Sequence, residues 1–360
     1  MIIFFKGVIY VVFSLLLGGL LLESVSKSKK PNVIVPKELL LWSIVLVPIL
    51  MFMFLLQIIQ YLSQSIGYWE TFTSVLFTFD IGKAWLGSIL IAFVLFLLIK
   101  NNELHDNTFY ARLGSFLTVV LISSYSFASH AASLYPILGF FAHFFHVVAV
   151  SAWIGILFYV AWWSNKRTEW IPFLKWYTPF SIGAVLVLSG GGLLLTEIVA
   201  PQYIDSWVLN YGQALLIKHL LLIPVLVYAA LHGFFLKKSL QKSGTVNVKR
   251  SLQGESIIIL VVFGVTGFLS MQTPPHEVWT TLLQNAPSPL FLKWFTGTID
   301  EQTVISFAFA SDVLLWAVGA VSMLIFTTFS IIKRWPVWTG VLFGLASSGL
   351  AYMAMMSGVS

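Results

Sequence analysis

What most constrains this chain is the recurrence, from one end to the other, of long apolar runs with almost no charge inside them. A helix rises about 1.5 Å per residue and makes all its backbone hydrogen bonds internally, so about 20 apolar residues suffice to cross a bilayer core of about 30 Å. Taken between charges and turn residues, about ten runs qualify: 2–22, 38–62, 83–99, 109–129, 137–162, 174–199, 211–236, 254–272, 306–332 and 336–356. Composition points the same way, with 58% of the 360 residues hydrophobic and 9% charged, whereas a soluble domain carries about a quarter charged residues. The expected fold is all-α, a polytopic transmembrane helical bundle with no soluble domain inside the chain. Residues 1–22 resemble a signal peptide only loosely, with Lys6 supplying one charge and S-V-S-K-S-K-K following from Ser24, so this run reads as an uncleaved span.

Basic residues fix an expected orientation. Alternate loops hold Lys27, Lys29, Lys30 and Lys37; Lys100 and Arg112; Lys166, Arg167 and Lys175; Lys237, Lys238, Lys242, Lys249 and Arg250; and Lys333 and Arg334. These are sixteen of the twenty basic residues. The segments between them hold Lys6, Lys83 and Lys293, and Lys218 lies within a span. Basic loops stay cytoplasmic, so both termini are expected outside. The net charge of +6 is spread over these short loops rather than one polar face, which makes the lipid bilayer the partner and gives no nucleic-acid surface. Cysteine is absent, so disulfides and thiolate ligands are excluded, and a soft metal would need His, Met, carboxylate or backbone.

Three of the seven histidines fall within S-H-A-A-S-L-Y-P-I-L-G-F-F-A-H-F-F-H-V-V-A-V-S-A-W-I-G, Ser129 to Gly155. His130 lies at the outer end of the fourth run. His143 and His146 lie about 9 and 14 Å along the fifth, on one helix face, and His219 about 12 Å along the seventh from the same side. Intramembrane ionisable groups need partners and are functional candidates by default, and imidazole is a common copper and zinc ligand. The bland alternatives are a helix-end cap for His130 and helix-to-helix hydrogen bonding for His232; His105 beside Asp106 reads as a solvated loop residue and His276 as part of the outer loop.

Glu197 and Lys218 are expected either to neutralise each other or to offer an oxygen ligand or proton acceptor. Glu255 and Asp80 read as helix N-terminal charges, and Asp312 as pairing several residues inside the ninth run. Met271, just before Pro274 and Pro275, is the thioether best placed as a ligand; Met51, Met53, Met323, Met353, Met355 and Met356 read as packing. Gly190, Gly191 and Gly192 mark close helix approach or a break. The stretch from Thr273 to Ile305, with four prolines and Trp279, Trp294 and Phe295, reads as an interfacial segment or an ordered outer cap.

S-H-A at Ser129, H-V-V-A-V-S-A-W-I-G from His146, P-F-S at Pro179, Y-G-Q-A-L-L-I-K from Tyr211, G-E-S at Gly254 and T-G-F-L-S with Pro274 and Pro275 occur in that order. Together they resemble the CopD family of bacterial copper-resistance and copper-transport membrane proteins, over roughly residues 80 to 276. The resemblance implies a multi-pass protein of the bacterial cytoplasmic membrane that handles copper arriving from outside, often beside or fused to a CopC-type copper-binding protein. His130, His146, Trp153, Tyr211, Lys218 and Glu255 match the family pattern; His143 and His219 come from depth alone. No fused copper-binding domain is seen in the sequence, and two further spans follow the proline pair.

The expected organisation is N-terminal spans over 1–80, a copper-handling core over 81–276, an outer loop over 277–305 and two C-terminal spans over 306–360. The leading function is copper ion transport, as uptake from the outer face by way of His130 to a site of His143, His146, His219 and Met271, supported by Glu197, Lys218, Trp153, Tyr211 and Glu255, without catalysis. One alternative is a redox protein holding haem b between His143 or His146 and His219. Another is a copper-binding membrane subunit that does not transport.

Overall fold

The protein, as a computed structural model, is described at residues 2–29, 32–105, 107–165, 170–236, 238, 248–301 and 304–359. Lys30, Asp106, Lys166, Arg167, Lys237 and Lys242, which enter the orientation and loop expectations, lie outside the described residues. Regular structure among the described residues is helical. In chain order the helices are α1 (Ile2–Ser24), α2 (Lys37–Ile66), α3 (Tyr68–Thr78), α4 (Asp80–Asn101), α5 (Thr108–Phe127), α6 (His130–Leu134), α7 (Leu138–Trp163), α8 (Trp170–Val199), α9 (Asn210–Ala230), α10 (Val248–Leu269), α11 (Val278–Leu282), α12 (Ser311–Ile332) and α13 (Val337–Ser357). Among the described residues extended backbone pairs only at isolated bridges, Val33 with Ser164 and Phe307 with Val359.

Among the described residues nine helices are long and apolar enough to cross a membrane: α1, α2, α4, α7, α8, α9, α10, α12 and α13. The protein is therefore an all-α, multi-pass membrane protein. The expected run at 109–129 does form a helix, α5, but Arg112 and its serines, threonines and tyrosines make it too polar to count with the nine. Its small face, Ala111, Gly114, Ser115 and Thr118, is buried by protein rather than lipid. Ser115 and Thr118 donate to the carbonyls of Ala111 and Gly114 at 2.9 and 2.8 Å, so their hydroxyls are satisfied within the helix.

The chain divides into two compact units, Met1–Leu195 and Thr196–Ser360. In the first, α1 packs on α2, α5 and α7, and Phe13, Leu16, Leu17 and Leu20 meet Leu40, Leu95, Leu121 and Val147 in a core. Lipid tails are as apolar as leucine, so helices within a bilayer are held by close packing, which small residues allow. The α1–α7 seam shows this: a Cβ on Gly155 would overlap the Ser14 carbonyl, and one on Gly18 would overlap the Gly155 backbone. At the α2–α3 break, Gly67 has φ 93° and ψ 156°, a region open in practice to glycine alone, while its N–H still donates to the Ser63 carbonyl at 3.0 Å. Helix α3 was not among the expected elements. Its 11 residues are too few to span, and it buries Thr71, Val75 and Leu76 while leaving Tyr68 and Trp69 exposed, an interfacial pattern.

In the second unit α9, α10 and α13 pack together and α12 lies along α13. The Tyr228 hydroxyl reaches the backbone of Gly254 and Gly340, where a Cβ would collide with it. The proline-rich stretch is an ordered cap. Val278, Phe291 and Ile305 bury with Trp207, Val208 and Met356. Ser288 N–H donates to the Val208 carbonyl at 2.7 Å and Ile305 N–H to Asp205 at 2.9 Å. Asp312 departs from its expected place: the helix begins at Ser311, so Asp312 is an exposed first-turn residue beside the Ser311 hydroxyl at 3.3 Å.

Candidate functional site

The histidine-rich stretch folds as two helices. Ser129 caps the short helix α6, its hydroxyl accepting from Ala132 N–H at 3.2 Å, and His130 is the first residue of that turn, exposed. A second helix, α7, then carries His143 and His146 on the same face, one turn apart.

His146 is built into a seat. Its Nδ1 lies 3.0 Å from the Leu188 carbonyl of α8. A carbonyl only accepts, so Nδ1 carries the proton and the neutral ring keeps its lone pair on Nε2. The glycine run of α8 provides the room: a Cβ on Gly191 would stand 3.2 Å from His146 Cβ and 3.0 Å from the Ala142 carbonyl, and one on Gly192 would stand 3.4 Å from His146 Cε1. Gly190, by contrast, faces open space. His143 Nδ1 lies 3.1 Å from Ser126 Oγ, and its ring packs 5.4 Å from that of Tyr125. Trp153, two turns on, is buried, and its carbonyl accepts from the Tyr177 hydroxyl at 3.0 Å. Trp153 thus braces α7 against α8.

In the second unit His219 lies on α9 with Nδ1 2.9 Å from the Tyr203 hydroxyl. Tyr203 stands in the loop before α9, where burial pushes its hydroxyl up to about 12, with Trp207 acting weakly the other way. It therefore keeps its proton at neutral pH and can either donate to the imidazole or accept from it. Lys218 precedes His219 and Tyr211 opens the same helix. Glu197 is exposed near the end of α8, and among the described residues no ion pair joins it to Lys218. Met271 follows α10 in a turn, its N–H donating to the Phe268 carbonyl at 3.0 Å, and His276 is exposed in the cap.

The sequence reading missed the densest ionisable cluster in this unit. Glu255 lies seven residues into α10 instead of at its start, and is 1% exposed. His232 Nδ1 is 2.9 Å from its Oε2, and His232 Nε2 is 2.7 Å from Ser251 Oγ. The apolar run begins near Glu255, which makes the residue look like a terminal charge. In fact Lys249, Arg250 and Gln253 belong to the helix's first turns. Near the interface long basic side chains can extend to water, so a helix begins earlier than hydropathy suggests. A cavity of about 240 Å³ was also missed. It is lined by Gln202 and by the carboxylates Asp205, Glu277, Asp300 and Glu301, which come together only when the cap folds.

Among the described residues no group of three or more His, Asp or Glu side chains is arranged to hold a metal ion. His130, His143 and His146 belong to one unit and His219 and Met271 to the other.

Comparison with known proteins gives three findings. Residues 171–269 match the family model described as Copper resistance protein D, and residues 1–140 match that of the Copper resistance protein D-like N-terminal domain. The chain is 27% identical over 179 residues to Copper transport protein CutJ of Bacillus subtilis strain 168, a match covering 48% of this chain and 31% of the relative. It thus spans about a third of the length of that curated relative. No solved structure matches it.

Proposed function

Since the chain belongs to the CopD family of copper resistance proteins, we propose that it moves copper inward across the bacterial cytoplasmic membrane, using imidazoles inside its spans as ligands. The observation that carries this reading is the seat of His146, where the Leu188 carbonyl accepts from Nδ1–H and would leave Nε2 as the nitrogen to ligate a metal. A ligand imidazole anchored through its other nitrogen is the ordinary second-sphere arrangement of metal-binding histidine. His143 shares its face, His130 is the surface imidazole that precedes them, and His219 and Met271 are the further nitrogen and thioether candidates in the other unit. Imidazole and thioether together suit copper and do not suit magnesium or calcium. The haem alternative draws no support from the family or from the relative. An extracytoplasmic protein of the CopC type is the proposed donor of copper, and the chain is proposed to act without catalysis.

The test is the copper bound by purified protein. Wild type is expected to bind copper and His146→Ala to bind less; an unchanged stoichiometry would remove His146 from the site. Protonation competes with the metal for imidazole, so binding should fall as the pH is lowered. Copper accumulation in sealed vesicles of known orientation gives the direction, and net efflux would reverse it.

A further inference from the structure

His232 stands in a π-helical turn, Leu231–Leu236, that continues α9. Such turns widen a helix locally and recur at functional positions. Both ring nitrogens face oxygens, Glu255 Oε2 at 2.9 Å and Ser251 Oγ at 2.7 Å. That occupancy, with only one carboxylate beside it, makes the cluster a poor metal site and a good proton site. Both carboxylate oxygens of Glu255 are buried and make no hydrogen bond among the described residues, the 2.9 Å approach of His232 Nδ1 to Oε2 being a charge contact. An unsatisfied carboxylate oxygen inside a span is costly, and taking up a proton relieves the cost.

Among the described residues, the side chains that face the pair are polar rather than charged. Tyr228, one turn before His232, faces it from α9 with ring centroids 6.2 Å apart, and Ser251 faces it from α10. Around the Tyr228 hydroxyl, α12 contributes the Ser330 hydroxyl and α13 contributes Gly340, which has no side chain. Lys249 and Arg250 lie about one and a half turns from Glu255 along α10. The start of α10 at Val248 lies about 10 Å from Glu255 along the helix, and Arg250 beside it is exposed.

We propose that His232 and Glu255 form a proton-binding site that takes up and releases one proton in each copper-transport cycle, coupling the movement of copper to that of protons. This rests on the transport reading above. Unloaded, the pair is a neutral imidazole and a carboxylate, with net charge −1. Loaded, it gains one proton and is neutral, either as imidazolium with carboxylate or as imidazole with carboxylic acid. Only N–H or O–H bonds form and break, and the proton comes from water and returns to water. Ser251 makes both states tolerable, because a hydroxyl can donate to a bare Nε2 and accept from a protonated one.

Full-length protein in liposomes with a pH-sensitive dye in the lumen tests the proposal. Imposing a copper gradient should change the lumenal pH in wild type. In Glu255→Gln and His232→Gln the lumenal pH change per copper moved should drop to the protein-free background. Copper flux without proton movement in wild type, or proton movement that survives in both variants, would overturn it. If wild type moves no copper, the transport reading fails, and infrared titration of the carboxyl C=O band decides the proton site alone. A titrating band that disappears in Glu255→Gln supports the site, and none overturns it. Should Glu255→Gln not fold, His232→Asn and Ser251→Ala replace it: a shifted carboxyl midpoint in either supports the pair, and an unmoved midpoint in both overturns it.

Discussion

Gly190 and Gly191 are neighbours in α8 with opposite surroundings, which allows a controlled measurement. A Cβ at 191 would press on the Ala142 carbonyl and on His146, whereas a Cβ at 190 meets nothing within 4 Å. Gly191→Val is expected to cost about 1–3 kcal/mol of stability through overpacking and to lower the copper bound, and Gly190→Val to change neither appreciably. Thermal unfolding in detergent and metal analysis of the same samples would check both. Equal effects at the two positions would show that glycine flexibility, rather than room for the imidazole, matters here. The candidate residues were partly legible in advance. The face shared by His143 and His146 follows from their spacing, and the glycine run was recognisable as a close approach. Its target was not, because Leu188 and His146 are 42 residues apart and meet only through packing. His232 and Glu255 were each visible as intramembrane polar groups, yet their pairing depends on a π-helical turn that apolar periodicity does not reveal.

At the scale of elements, the α1–α7 seam and the α2–α3 break are the sharpest tests of the fold. Leucine at Gly155 cannot coexist with the Ser14 carbonyl, so Gly155→Leu should cost at least the ~1–3 kcal/mol of ordinary overpacking and reduce the yield of monodisperse protein. Wild-type yield from that variant would mean the seam is loose. Gly67→Ala should lose about 1–3 kcal/mol, because its backbone angles are strained for any side chain. A Tm equal to wild type would contradict the turn. Element positions were largely legible, since runs of low charge and high hydropathy dictate long helices in lipid whatever their partners. What escaped was local. Helix α3 lacks the length of a span, and α5 is stabilised by buried small and hydroxyl residues, which hydropathy counts against it. Asp312 was misplaced because the apolar residues before it belong to the cap's final strand-like stretch, not to the helix.

For the molecule as a whole, the basic loops predict that both termini lie outside, which needs an even number of crossings and so requires α5 to cross beside the nine more apolar helices, and the absence of cysteine makes that testable one position at a time. Ser28→Cys should react with a membrane-impermeant maleimide only from the cytoplasmic side, and Thr280→Cys, on the cap, only from the outside. The opposite pattern would invert the protein. The α1–α7 seam also has a consequence for biogenesis. A nascent chain delivers α1 to the membrane more than a hundred residues before α7, so for most of synthesis the glycine face of α1 meets acyl chains instead of the backbone that fits it. The first unit therefore cannot close helix by helix as it leaves the translocon: its central helix must wait in lipid for the histidine-bearing one, and chains terminated before Leu138 should be the ones that quality control removes.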